Sequence, residues 1–126
     1  MTQPIVFISH SSIRDGQAEG FRAFIRGGAP ALQADKPGTV AFLAYLDEDA
    51  TEASIVHVFA NADAMNAHLE GVQERSEEAD AFIRTTAYEI YGSPEPQVVQ
   101  MMRAFADQSG VPLRMHPEHV GGYLHG

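Results

Sequence analysis

Histidine is the side chain best suited to moving a proton near neutrality, with an unperturbed pKa of about 6.5, and this chain carries six of them. Three stand alone in segments that read as core: His10, His57 and His68. His57 shares a strand face with Ile55 and Phe59, and His68 shares a helix face with Met65 and Leu69. Each is a polar group on an apolar surface, the setting in which a bound small molecule meets a base. A packed, hydrogen-bonded core histidine leaves the same pattern, so both readings stand. Tyr45, Tyr88 and Tyr91 add possible hydroxyl donors, although strand tyrosines also serve simply as packing.

The other three histidines, His116, His119 and His125, fall in the closing stretch HPEHVGGYLHG. A metal site needs three or four ligands around one centre. His116 precedes Pro117, which pushes it toward extended geometry, and residues three apart on an extended chain point to opposite faces. No metal site is expected there. The absence of cysteine excludes thiolate ligands, disulfides and cysteine nucleophiles. There is no Gly-x-Ser-x-Gly, phosphate-cradling glycine loop or dinucleotide fingerprint, so neither flavin nor nicotinamide is implied and no cofactor is expected.

These residues must be positioned by elements the sequence also outlines. Residues 4–13, PIVFISHSSI, read as a buried strand. Asp15 is the expected N-cap of a helix bearing Ala18, Phe21, Ile25 and Leu32 on one stripe. The run GGAP at 27–30 should interrupt or kink that helix, and KPG at 36–38 should turn the chain. Strands follow at 39–47 and 53–60, joined by an acidic hairpin. In the first of them Val40, Phe42 and Leu46 are expected on one face, Leu43 and Tyr45 on the other.

Asn61 is the expected cap of a second helix with Met65, His68, Leu69 and Val72 turned inward. It should break near Gly71 and resume through Ala79, Phe82 and Ile83. Residues 85–92 read as a fourth strand, and 93–110 as a helix capped by Ser93 with Val99, Met102 and Phe105 as its stripe. Val111, Leu113 and Met115 alternate as a short fifth strand, which Pro112 keeps at an edge.

The order β-α-β-β-α-β is the α+β ferredoxin-like arrangement with an antiparallel sheet, here followed by a C-terminal helix and tail strand. All 126 residues are expected to form one domain, with a core over 4–92 and an extension over 93–126. Helices cover only one sheet face, yet both faces are apolar. A homodimer packing two sheets together, through an interface of roughly 2,000 Å² or more, would cover the second.

A net charge of −9 argues against nucleic acid and against anionic lipid as partners. The acidic runs DEDATE (47–52) and ERSEEAD (74–80) read as a solvated loop and a solvated helix face. No apolar run approaches the ~20 residues that span a bilayer. The start MTQPIVFISHS lacks a basic and long apolar leader, so a cytoplasmic location is expected.

The stretch ASIVHVFANADAMNAHLEG at 53–71, preceded by KPGTVAFLAYLDED, resembles the antibiotic biosynthesis monooxygenase-like family of dimeric α/β barrels, which includes quinol monooxygenases. The matching features are the Pro37-Gly38 turn, the strand-ending aromatic Phe59 and the Ala67-His68-Leu69 helix centre. The likeness covers about residues 5–92. Phe59 stands where the family often has Trp, and His57 where Glu is common. Ile55 and Met65 replace polar residues such as Asn and Tyr.

The resemblance implies a cofactor-independent monooxygenase acting with O₂ on a small aromatic or quinol-type molecule. His57 and His68 are its candidate catalytic bases, and His10, Ile55, Phe59, Met65 and Tyr88 its candidate pocket lining. The alternatives are a non-catalytic small-molecule-binding or regulatory dimer on the same fold, an isomerase or decarboxylase of aromatic acids, or a haem-handling relative, the last disfavoured by the missing Trp. The tail is expected along the sheet edge or across a partner, anchored by Tyr123 and Leu124.

Overall fold

The first strand, β1 (Ile5–Ile13), lies at the middle of the sheet. Its alternation sends Ile5, Phe7, Ser9 and Ser11 to one face and Val6, Ile8 and His10 to the other. The computed structural model describes residues 3–125. After β1 come α1 (Ala18–Asp35), β2 (Thr39–Leu46), β3 (Glu52–Phe59), α2 (Ala62–Leu69), α3 (Val72–Ala79), β4 (Ile83–Tyr91), α4 (Pro96–Ser109) and β5 (Leu113–His116). The five strands form one sheet in the order β2-β3-β1-β4-β5. All neighbours are antiparallel except β4 and β5. That parallel pair needs a crossover, and α4 supplies it. The architecture is the expected α+β ferredoxin-like one, with a mixed sheet because of β5.

Several local expectations are corrected. Asp15 does not cap α1: the Gln17 amide donates to the Arg14 carbonyl at 2.9 Å, closing a turn through Gly16 (φ +75°). The helix starts only at Ala18. Nor does GGAP end it, since α1 runs on to Asp35 with Pro30 inside. Arg26 and Pro30 are both exposed, so the carbonyl that proline leaves without an intrahelical donor faces water.

Val40 leaves the Phe42 and Leu46 face. A β-bulge between Thr39 and Ala41 inserts it as an extra residue, and it is exposed beside Leu43 and Tyr45. Phe82 and Ile83 are not helical; Ile83 opens β4. Ser93 does not cap α4, whose N-cap is Glu95 with Pro96 in the first turn. The Ser93 hydroxyl donates instead to the Pro117 carbonyl at 3.1 Å. The buried stripe of α4 is Val98, Met102 and Ala106, one position away from the expected Val99 and Phe105 at two of its three places.

The helices pack on the Phe7 face. Ile5, Phe7, Phe59, Met65, Leu69, Ile90, Val98 and Met102 form one buried cluster there. Phe21, Ala53 and Ile83 form a second, smaller one near the other end. Between them the same face carries Ser9, Ser11 and Thr85, joined by register across β1 and β4. Small side chains at these places leave space that large apolar ones would fill.

Among the described residues no helix lies on the opposite sheet face. Val40, Leu43 and Tyr45 are 53%, 47% and 58% exposed there, beside Val6, Ile8, Val56 and Val58.

Candidate functional site

The space between the two clusters is a cavity of about 770 Å³, within the range that small-molecule sites occupy. Its floor is the helix-side sheet face, from Phe7, Ser9 and Ser11 to Phe42, Ile55, His57, Thr85 and Tyr88. Its walls come from the second half of α1, from α3, and from Met102 and Phe105 of α4. His57 and His68 both line it.

His57 reaches this face because odd positions of β3 point to it: Ala53, Ile55, His57 and Phe59 alternate with Ser54, Val56 and Val58. Its Nδ1 lies 3.1 Å from the Phe7 carbonyl. A carbonyl only accepts, so Nδ1 carries the proton and Nε2 is the bare nitrogen. The ring stacks on Phe7 at 5.0 Å and meets the edge of Phe42 at 5.2 Å. Burial pushes its pKa down to about 4.

His68 arrives on α2, a helix of only eight residues that is fixed at both ends. At its start the Asn61 side chain accepts from the Ala64 amide at 2.8 Å. At its end two cations hold the free carbonyls. Lys36 Nζ donates to Ala67 at 2.7 Å and to Glu70 at 3.3 Å. Arg75 donates to Glu70 at 2.9 Å and also to His68. Gly38 lets the turn before β2 approach, since a Cβ there would stand 2.6 Å from that of Ala64. Gly71, at φ +81°, separates α2 from α3.

So placed, His68 Nδ1 is 2.8 Å from the Thr39 hydroxyl. Its pKa falls to about 3, first through burial and then through the charges of His57, Arg75 and Lys36. The His57 and His68 rings lie 5.0 Å apart at 76°. At neutral pH the site offers two uncharged imidazoles on one aromatic-lined wall.

Of the expected lining residues, Ile55 and Tyr88 face the cavity. Phe59 and Met65 do not: both are fully buried, and Phe59 supports His68 from behind at 5.2 Å between rings. His10 lies on the opposite sheet face, as its even position in β1 requires. There its Nδ1 meets Ser54 Oγ at 3.1 Å and its Nε2 meets Glu89 Oε1 at 2.5 Å. Tyr91 donates to the other oxygen of Glu89 at 2.8 Å. The hydrogen bonds from His10 and Tyr91 hold the Glu89 carboxyl below the usual range.

His116 stacks on Tyr91 at 4.5 Å. Tyr123 and Leu124 are exposed and do not anchor the tail on this chain's own sheet. Among the described residues no group of three or more His, Cys, Asp or Glu could hold a metal, and no helix is long and apolar enough to cross a membrane.

Phe7, Phe42, Thr39 and Arg75 were not expected at the site. Phe42 stood on an apolar strand face and Phe7 in an apolar strand, which is a weak signal. Arg75 was hidden in the acidic run ERSEEAD. Its only mark was a spacing of seven from His68, two helical turns.

A ferredoxin-like sheet carrying an aromatic-lined cavity under its helices defines a class of small α+β proteins. The chain belongs to the antibiotic biosynthesis monooxygenase family, whose sequence pattern matches residues 4–85. A comparison with curated proteins finds no match. Among solved structures, MupZ from Pseudomonas fluorescens is similar over 97% of this chain and 95% of its own, with a TM-score of 0.74 and 15% identity. SnoaB from Streptomyces nogalater, described as a cofactor-independent oxygenase, is similar over 73% of this chain and 94% of its own, with a TM-score of 0.59 and 17% identity. At such identities the likeness is one of fold. The similarity to MupZ extends to nearly the whole chain, beyond the end of the family match.

Proposed function

We propose that the protein is a cofactor-independent monooxygenase of a small aromatic or quinol-type molecule, with His57 and His68 as its bases. The observation that carries this reading is the pair itself, two neutral imidazoles 5.0 Å apart lining a single cavity among Phe7, Phe42 and Tyr88. An electron-rich phenol or anthrone reacts with O₂ once it is deprotonated. The protein's part is to orient it, exclude water and take one proton. Over a turnover on an anthrone, a ring CH₂ and O₂ become C=O and water: one oxygen atom enters the product and the other leaves reduced. Family membership and the description of SnoaB as a cofactor-independent oxygenase support the reading.

The same proposal includes a homodimer. The helix-free sheet face exposes Val40, Leu43 and Tyr45, and exposed apolar patches of this kind mark association sites. A second copy laid sheet to sheet covers it. The His10–Glu89–Tyr91 network would then lie at that interface.

The decisive experiment is oxygen uptake by the purified protein with a panel of hydroquinones and anthrones. Turnover that depends on both histidines is the expected result. Tight binding of the panel without turnover would instead identify a ligand-binding protein on this fold.

A further inference from the structure

We propose that Arg75 contacts the ligand and selects aromatic molecules that carry an anionic oxygen, as a carboxylate or an ionised hydroxyl. The inference rests on the reading of the cavity as a ligand site, but not on oxygenation.

Arg75 is the single Lys or Arg side chain among the residues that line the cavity. A guanidinium has five N–H donors in a rigid fork. The carbonyls of His68 and Glu70 take two of them, which ties the group to the end of α2, and the side chain borders the cavity. Arg75 is half-buried, so its charge is screened less than that of an exposed side chain.

Three carboxylates stand at the rim, Asp35, Glu78 and Asp80, and all are exposed. Asp80 is already paired with Arg14 at 2.9 Å. The Asp35 charge acts on Arg75, but Asp35 and Glu78 are exposed and damped by solvent and salt, whereas an anion inside the cavity would meet Arg75 across more apolar surroundings.

Chemistry gives the arrangement a purpose. Both histidines are weak bases in this setting, at about 4 and about 3, and the Arg75 charge is one cause for each. A phenol near pKa 10 does not pass its proton to such a base unless the resulting anion is stabilised. A fixed cation beside His68 stabilises that anion, and the anion in turn restores the basicity of the imidazoles.

The test is fluorescence binding, without oxygen, of anthracene-2-carboxylate and its neutral isostere anthracene-2-carboxamide. The wild-type protein is expected to favour the carboxylate by about tenfold. In Arg75→Gln the ratio of the two affinities should fall to about one, whatever the change in either affinity alone. Arg75→Lys keeps the charge but not the two-carbonyl fork, and should retain a preference of at least about threefold, so a loss of the helix cap alone cannot mimic the result. A third probe, 7-hydroxycoumarin, separates the two kinds of anion: a bound hydroxyl that ionises at lower pH in wild type than in Arg75→Gln extends the role to phenolates. Equal affinity for the two anthracenes in wild type, or a preference unchanged in Arg75→Gln, overturns the proposal and leaves the cavity as an apolar ligand site. Binding of neither anthracene overturns the ligand-site reading itself.

Discussion

The imidazole of His57 meets that of His68 edge to face, 5.0 Å apart, although one rides on β3 and the other on α2. At this distance a proton on one ring raises the cost of a proton on the other. The pair therefore takes up a first proton more readily than a second. His57 has a defined bare nitrogen, and His68 is held by Thr39.

Replacing either ring with alanine should lower oxygen consumption on a responsive anthrone by about 10²–10⁴-fold, the usual worth of a positioned base. If the pair acts as a unit, the double variant should lose little more than the worse single one. Initial rates from an oxygen electrode check this, and a rate unchanged in both single variants would remove the histidines from the chemistry.

The same two residues set a pH dependence of stability. Their folded pKa values, about 4 and about 3, lie below the 6.5 of the free side chain. Below pH ~6.5 the unfolded chain therefore binds protons that the folded chain refuses, and stability falls as the solution is acidified. For His57 the loss reaches about 3 kcal/mol once the pH is under its folded value, and His68 adds to it in the same direction. Chemical denaturation between pH 7.5 and 4 should show the decline. A His57→Gln, His68→Gln double variant should show a shallower one. Equal slopes for the two proteins would mean that other groups control acid stability.

Leu43→Arg places a charge on the helix-free face without touching the cavity side of β2. In sedimentation it should run at the chain mass where the wild-type protein runs at twice that mass, with far-UV circular dichroism unchanged. A monomeric wild-type protein would refute the dimer.

Thr85→Leu should fill part of the cavity between the two core clusters. Ligand affinity should drop by at least about tenfold, while the melting temperature holds or rises, because added methylenes replace empty space rather than crowd packed neighbours. A fall in melting temperature of several degrees would indicate that the region has no room.

Much of this was legible in the sequence because it depends on periodicity. The order of elements, the Asn61 cap, the break at Gly71 and the short last strand all follow from local chemistry. Placing His57 and His68 on inward faces also needed only strand and helix spacing. Their meeting did not, since it requires the register of β3 and the docking of α2. His10 was misplaced because a histidine between apolar neighbours looks the same on either sheet face. Phe59 and Met65 were correctly turned inward, but the depth at which packing ends and the cavity begins is a tertiary property. Arg75 was missed for another reason: a lone cation in an acidic run looks solvated until its carbonyl partners are known. Ser9, Ser11 and Thr85 carried the cavity silently, by being small.

The position of β1 sets the timetable of assembly. It is the strand made first, yet it sits between β3 and β4, so neither of its edges is satisfied until later chain has emerged. The pairing Val6–Tyr91 closes 85 residues of chain, and contacts of such long span slow folding. During synthesis the nascent β1 therefore presents two bare edges until β3 leaves the ribosome and one until β4 does, and α4 and β5 are added last, to a sheet of four strands.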